Sequence, residues 1–110
     1  RSSNSVNSYI GELELDLKSI KDLCFMLSDK IEKLFVIIVS KTDEKVFISC
    51  FVSKELVEEK GLNASNIVKE LSPIIDGNGG GQPFFATAGG KKIDGIKAVL
   101  NQSKKIINQI

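Results

Sequence analysis

Apolar side chains recur at helical spacing through the first third of the chain. The gaps between them alternate between three and four residues, as in Leu13, Leu17, Ile20, Cys24, Leu27, Ile31 and Leu34. The helical pattern begins at Gly11, and this seam of almost three heptads predicts a helix that runs to about Leu34. Such a helix packs on a sheet or pairs with a second copy, and the pattern leaves both open. Residues 1–10 are rich in Ser and Asn and predict a lead-in without regular structure.

A hairpin follows the seam. Residues 35–39 are apolar and mostly β-branched, which predicts a strand buried on both faces. Residues 42–44 (Thr-Asp-Glu) indicate a turn. Residues 45–52 then alternate between two sets of side chains, as a second strand would.

The rest of the chain predicts three helices and one short strand. A helix capped by Ser53 runs to Lys60 and stops at Gly61, and the next begins at residue 63 or 64 and is ended by Pro73. A strand over residues 84–88, between two glycine-rich turns, and a helix over about 94–107 complete the order α-β-β-α-α-β-α. This order predicts an α/β (α+β) fold, with a mixed β-sheet of at least three strands covered by helices.

Composition restricts the chemistry. The 110 residues are 42% hydrophobic and 26% charged, which is typical of one globular domain. No apolar run is long enough to cross a membrane and no signal peptide is present, so we expect a cytoplasmic protein. The chain has no histidine, which excludes His-dependent catalysis and imidazole metal sites. Cys24 and Cys50 lie among apolar neighbours and are expected to be buried and reduced. We therefore predict no catalytic residue, metal ligand or cofactor.

Charge is distributed unevenly. Residues 1–76 carry ten basic and thirteen acidic side chains, whereas residues 77–110 carry five lysines against one aspartate. Such asymmetry indicates an anionic partner for the basic part, although lysines on a solvated helix face give the same count.

Six of the nine glycines lie between positions 77 and 90. Clustered glycines occur where the backbone needs positive φ or where another group approaches it closely. Exposed amides in such a loop can hold a phosphate. The spacing is neither that of a Walker loop nor that of a dinucleotide fingerprint, so a structural turn and a ligand loop both remain open.

The segment from Gly79 to Gly90, with the letters GGGQPFFATAGG, resembles the terminal signature of alanyl-tRNA synthetases. That family's pattern is three glycines, a basic or polar residue, Pro, two variable residues, Ala, a polar residue, a small residue and Gly-Gly. The order of the preceding elements is also similar, so the resemblance covers about residues 15–108. Position 1 is arginine, and we expect the chain to be part of a longer protein.

The resemblance implies a parent enzyme that ligates alanine to its tRNA with ATP and Mg²⁺ and carries a zinc-dependent editing domain. None of those active sites falls in this chain. Residues 15–110 are expected to form the parent's non-catalytic C-terminal domain, with residues 1–14 as a lead-in or the start of a dimerising helix. The implied partners are alanine tRNA, bound at its outer corner (the elbow), the upstream domains and a second copy of the chain.

The candidate tRNA-binding residues follow from the signature and from the lysines near it. They are Gly79, Gly80, Gly81, Gln82, Lys91, Lys92, Lys104 and Lys105. Many family members have arginine where this chain has Gln82, which can donate hydrogen bonds but cannot form a charge-assisted contact. On the predicted strand, Phe84 and Phe85 alternate, so one ring is expected in the core and the other partly exposed.

Two alternatives belong to other functional classes. The seam from Leu13 to Leu34 allows a homodimerisation module without RNA affinity. The same fold is also associated with DHH-family phosphoesterases, in which a nucleotide-binding histidine typically follows the glycines, where this chain has Gln82 and Pro83. A free-standing editing protein with the same tail is a further parent to consider.

Overall fold

A five-stranded mixed sheet organises the computed structural model, which describes residues 6–109. In chain order, the elements are β1 (Asn7–Glu12), α1 (Leu17–Ser28), β2 (Leu34–Lys41), β3 (Val46–Val52), α2 (Lys54–Lys60), α3 (Ala64–Leu71), a 3₁₀ helix (Ser72–Ile75), β4 (Asn78–Gly81), β5 (Phe85–Gly90), a second 3₁₀ helix (Ile93–Gly95) and α4 (Ile96–Asn108). The predicted mixed sheet covered by helices is confirmed, with two strands more than the sequence indicated.

The spatial order of the strands is β1-β2-β3-β5-β4. β1 pairs in parallel with β2, and the other three pairings are antiparallel. The two strands that the sequence did not predict are therefore the edges of the sheet. Strand β1 lies within the stretch expected to be a lead-in, whereas residues 1–5 of that stretch lie outside the described residues.

The central strands bury both faces, as their composition predicted. Residues Leu34, Val36 and Ile38 of β2 face α1 and pack with Ile20 and Cys24. The alternate residues of β2, together with Val46, Ile48, Cys50 and Val52 of β3, pack against α2, α3 and α4. The sheet is thus a middle layer, with α1 on one face and the other three helices on the opposite face.

Helix α1 is shorter than the heptad seam predicted. It begins after Asp16, whose carboxylate accepts a 2.7 Å hydrogen bond from the Ser19 N–H, and it ends at Ser28 rather than at Leu34. Lys33 adopts a positive φ of 51°, and Leu34 opens β2. The seam residues continue at helical spacing because helix, loop and strand all contribute to the same apolar cluster. Within this chain the seam packs on the sheet, as one of the two alternatives predicted, and pairing with a second copy stays a prediction.

Ser53 stands at the N-cap position of α2, but the prediction that its side chain caps the helix is wrong: the hydroxyl forms no capping hydrogen bond, and the Ser53 N–H donates to the Leu34 carbonyl at 2.9 Å. The other signals for the remaining helices are confirmed. Gly61 ends α2 with a left-handed φ of 68°. The Asn63 side chain caps α3 by accepting a 3.1 Å hydrogen bond from the Asn66 N–H. Pro73 lies in the 3₁₀ helix that follows α3, and Val99 of α4 is fully buried.

Candidate nucleic-acid interface

Two lysines stand side by side where β3 begins and β5 ends. Val46 pairs with Gly90 in the antiparallel ladder, so the next positions outward are Lys45 and Lys91. Both side chains are exposed. Within residues 6–109, no carboxylate oxygen lies within 4 Å of either ammonium. Like charges directly opposite each other destabilise a sheet. This end of the sheet therefore presents two neighbouring cations that lack a fixed counter-charge in the described part of the chain.

Hydrogen bonds hold the backbone at both lysines. The Thr42 N–H donates to the Lys45 carbonyl at 2.8 Å, and the Lys45 N–H donates to Thr42 Oγ1 at 3.2 Å. On the other strand, the Lys91 carbonyl accepts from the Ile93 N–H at 3.1 Å. Only the two side chains are left free to move, so the lysines start from fixed, neighbouring positions.

A cleft of about 230 Å³ lies beside this lysine pair. We call it the Phe47 cleft, because the half-buried Phe47 ring is the aromatic group that lines it. Across the sheet, Phe47 pairs with Gly89, and Gly89 pairs with Asn78. Gly89 has no side chain, which lets the Phe47 ring lie close against the strand at that position. The residues lining the cleft are Lys45, Phe47, Asp76, Gly77, Asn78, Gly89, Gly90 and Lys91.

The predicted glycine loop is a strand. Gly79, Gly80 and Gly81 form β4 and pair with β5, so the expectation of a glycine-rich turn before β5 is wrong. The physical reason is close packing, because a Cβ at Gly79 would overlap the Thr87 carbonyl oxygen. Gly90 is restricted in the same way by the Ile75 carbonyl oxygen. Close approach of the chain's own backbone therefore accounts for these glycines, and a role in tRNA binding stays a prediction.

Gln82 lies far from the lysine pair. It is the first residue after β4, in the turn that leads to β5, and its N–H donates to the Phe85 carbonyl at 2.9 Å. Lys91 follows the other end of the six-residue strand β5, which places the two residues about 20 Å apart. The neighbouring Pro83 carbonyl accepts a 2.7 Å hydrogen bond from the Ala64 N–H, so the chain itself occupies one amide at the start of α3.

The structure also separates the four predicted lysines. Lys91 lines the Phe47 cleft, and Lys92 follows it with its N–H donating to the Ile75 carbonyl at 3.1 Å. Lys104 and Lys105 are exposed on α4, which covers the sheet face opposite α1. The cleft opens on the α1 side, because Phe47 lies on the same face of β3 as Phe51. The predicted residues therefore do not form one patch.

Lys45, Phe47, Asp76 and Asn78 were missed by the sequence prediction. They come from two segments, residues 45–47 and 76–78, and only the pairing of β3 and β4 with β5 brings the two together. One signal was available in part: the predicted hairpin placed Lys45 and Phe47 on one face of the second strand. The sequence did not indicate which strand pairs with the second strand, or in which register.

A second surface feature lies at the opposite end of the sheet. The Phe25 ring is 5.2 Å from that of Phe51 and 6.2 Å from that of Phe84, and Phe84 is 42% exposed. Phe85 is half-buried against the α1 cluster, so one ring of the Phe84–Phe85 pair is inside and the other outside, as expected. An adjoining groove of about 580 Å³ includes the exposed carboxylates of Glu55 and Glu58.

Neither cysteine takes part in a site. Both are free and buried, as predicted. Burial raises the pKa of the Cys24 thiol to about 11, and burial with a smaller contribution from Cys24 raises the pKa of Cys50 still further. Within residues 6–109, no cluster of three or more potential ligands is placed to hold a metal ion, and no helix has the length and apolar composition of a membrane span.

Comparisons with known proteins identify the family. The family described as "DHHA1 domain" matches residues 4–109. The chain is 47% identical over 107 residues to an alanine–tRNA ligase of Christiangramia forsetii and 40% identical over 104 residues to one of Flavobacterium psychrophilum. These matches cover 97% and 94% of this chain but only 12% of each relative.

A solved structure supports the same relationship. It is the C-Ala domain from Aquifex aeolicus alanyl-tRNA synthetase, which matches with a TM-score of 0.76 and 28% sequence identity. The match covers 92% of this chain and 88% of that one. The fold, the full-length family match and the run of alanine–tRNA ligase relatives agree, and the chain belongs to the DHHA1 domain family.

Proposed function

We propose that this domain binds alanine tRNA at its elbow and thereby helps the aminoacylation and editing domains of a parent alanine–tRNA ligase to act on one bound tRNA. The relatives named above carry that enzyme's name, and this chain corresponds to about 12% of their length. It contains no histidine, and its two thiols have raised pKa values, which suits a binding module better than a catalytic one.

The observation that carries the proposal is the cluster of exposed lysines at one end of the sheet. Lys45, Lys91 and Lys92 come from two neighbouring segments, and none of the three ammonium groups has a carboxylate partner within the described range 6–109. Unpaired cations on a fixed backbone suit RNA phosphates, which a domain that recognises RNA shape must contact. The net charge of +1 predicts modest affinity that weakens as salt increases.

Further properties belong to the parent enzyme within this proposal. They are alanine ligation with ATP and Mg²⁺, a zinc-dependent editing domain, contact with the upstream domains and a cytoplasmic location. Homodimerisation remains the alternative, although the heptad seam that suggested it packs on the chain's own sheet.

The test is fluorescence anisotropy with labelled alanine tRNA at 50 and 200 mM salt. We expect the double variant Lys91→Ala/Lys92→Ala to bind more weakly, with a slope of log K against log salt that is smaller by about 1.4–1.8, the value for two phosphate contacts. The matched control is Lys30→Ala/Lys54→Ala, which removes the same charge at the other end of the sheet and should bind like the wild-type chain.

A second comparison tests the elbow. A minihelix that carries the acceptor stem but lacks the interacting D and T loops should bind more weakly than the whole tRNA. Equal affinity for both RNAs contradicts docking on the elbow. Absence of RNA binding at 100 µM protein, together with a doubled mass by sedimentation, would favour the dimerisation module.

A further inference from the structure

We propose that the Phe47 cleft holds a single unstacked nucleotide of an RNA strand. Its phosphate would lie between Lys45 and Lys91, and its base would stack on the Phe47 ring. This inference rests on the proposed RNA-binding function and identifies a site for it that the glycine signature does not include. Three properties of the cleft support it: its charge, its shape and the polar groups opposite the ring.

The charge favours an anion. Lys45 and Lys91 are the residues next to the last pair of the β3–β5 ladder, Val46 with Gly90, and both line the cleft. Neither ammonium has a carboxylate partner within the described residues, so the repulsion between them is not offset by a local ion pair. A phosphate placed between the two would remove this repulsion and accept hydrogen bonds from both.

The shape favours one planar group. The Phe47 ring packs against Gly89, where an added Cβ would lie only 3.3 Å from the ring carbons. Because Gly89 has no side chain, the ring lies close against the strand there, and the ring and Asn78 both line the cleft. The volume of about 230 Å³ is below the ~300 Å³ at which pockets for drug-sized ligands begin. It therefore suits one base rather than a dinucleotide.

The polar groups that line the cleft favour one orientation of the nucleotide. Asn78 offers both a donor and an acceptor, which match the mixed edge of a base. Asp76, held at a left-handed φ of 52°, brings a carboxylate to the side of the cleft away from Lys45. A carboxylate repels phosphate but accepts a hydrogen bond from a ribose hydroxyl. The phosphate is therefore expected on the Lys45 side and the ribose toward Asp76.

The aromatic groove at the opposite end of the sheet is less suitable for this ligand. Its rim carries Glu55 and Glu58, which repel phosphate, and among the described residues that line it Lys54 alone is a cation. The Phe84 ring is exposed there and provides a matched control for stacking at the Phe47 ring.

The sharpest experiment uses fluorescence. The chain contains no tryptophan, so Phe47→Trp introduces a single reporter in the cleft. Because Phe47 is half-buried, the larger ring can extend toward solvent. We expect saturable quenching of its emission on titration with alanine tRNA. Phe84→Trp places the same reporter at the other end of the sheet and should show no quenching. Quenching of the Phe84→Trp reporter alone would overturn the proposal.

Affinity measurements give an independent readout. Phe47→Leu keeps an apolar side chain but removes the ring, and it should weaken tRNA binding about five- to tenfold, the lower part of the range for one stacked base. Lys45→Ala should weaken binding and reduce the salt slope, whereas Lys30→Ala should change neither. Circular dichroism and thermal unfolding confirm that each variant is folded.

The outcomes separate this inference from the function on which it rests. Wild-type binding to tRNA with unchanged affinity in Phe47→Leu and Lys45→Ala overturns the cleft and leaves tRNA binding in place. Absence of binding by the wild-type chain overturns both. Uridine monophosphate is the last probe: quenching by the free nucleotide at the same concentration as by RNA would make the cleft a mononucleotide site and refute an RNA strand as the ligand.

Discussion

The lysine pair that we assign to phosphate binding should weaken the fold of the free domain. Lys45 and Lys91 carry like charge and line the same cleft beyond the end of the β3–β5 ladder, so replacing either by glutamine removes an unfavourable interaction while also reducing RNA affinity. Stability and binding are therefore expected to change in opposite directions. Asp43 and Glu44 also attract Lys45. A single variant at Lys45 therefore loses this attraction together with the repulsion from Lys91. A double-mutant cycle with Lys45→Gln and Lys91→Gln isolates the pair.

The magnitude follows from Coulomb's law. For two exposed ammonium groups about 6 Å apart in water, the repulsion is about 0.7 kcal/mol before screening. With a Debye length of about 30 Å at 10 mM salt, about 0.6 kcal/mol remains, and at 1 M, where the length is about 3 Å, about 0.1 kcal/mol remains. For a domain of this size, the larger value corresponds to a shift in Tm of about 2–3 °C.

Thermal unfolding of the four proteins of the cycle at 10 mM and 1 M salt measures this coupling. The expected result is a destabilising interaction between the two lysines that almost disappears in high salt. A cycle with Lys30→Gln and Lys91→Gln, whose positions lie at opposite ends of the sheet, should give no coupling at either salt concentration. A zero or favourable coupling for Lys45 and Lys91 at 10 mM would show that the two ammonium groups are not neighbours. The geometry of the Phe47 cleft would then be wrong.

Three further predictions concern the rest of the fold. Ile20→Ala should lower the free energy of unfolding by about 2–5 kcal/mol, because the side chain is fully buried; the mass by light scattering should equal that of the wild-type chain, and conversion from dimer to monomer would instead support a dimerising seam. Hydrogen bonds from the side chain and backbone N–H of Ser19 lower the pKa of Asp16 below 3.8, so its contribution to stability is complete above that pH and decreases as pH falls through the lower, folded-state pKa. Asp16→Asn keeps a capping side chain without the charge, and the difference in Tm from wild type should shrink in acid; a constant difference from pH 6 to pH 2 would contradict the assignment. Cys24 and Cys50 should resist iodoacetamide at pH 8 until the domain unfolds, because burial raises both thiol pKa values; rapid labelling of the folded chain by mass spectrometry would argue against it.

The buried strands were predictable because their composition reflects burial directly. β2 and β3 contain β-branched and apolar residues on faces that the structure does bury. The two edge strands lacked that signal. β1 has the sequence NSYIGE, with mainly exposed residues, and β4 has the sequence NGGG, in which glycine is unfavourable for a strand. What forms β4 is close contact of its backbone with β5, as at Gly79, and no local pattern reports such a contact.

The heptad seam shows a different limit. Helical spacing of apolar residues from Leu13 to Leu34 was real, but it extended past the end of the helix at Ser28. Ile31 lies in the loop and Leu34 in β2, yet both join the cluster under α1. Periodicity measures which residues are buried together. The period gives the length of a helix only where a single helix contributes all of the residues that are buried together.

The predicted binding residues do not lie together in the structure, for a related reason. Sequence proximity grouped the glycine signature with Lys91 and Lys92, whereas strand pairing groups Lys91 with Lys45 and Phe47. In the structure, the glycines allow β4, β5 and the segments beside them to approach closely, and Gly89 lets the Phe47 ring lie against β5. On our proposal, the signature therefore contributes to RNA binding indirectly, because Gly89 allows the Phe47 ring to lie against β5 beside the cleft. The charge comes from Lys45 and Lys91, and the stacking surface is the Phe47 ring. The variants that test binding are therefore placed at Lys45 and Phe47 rather than in the glycine run.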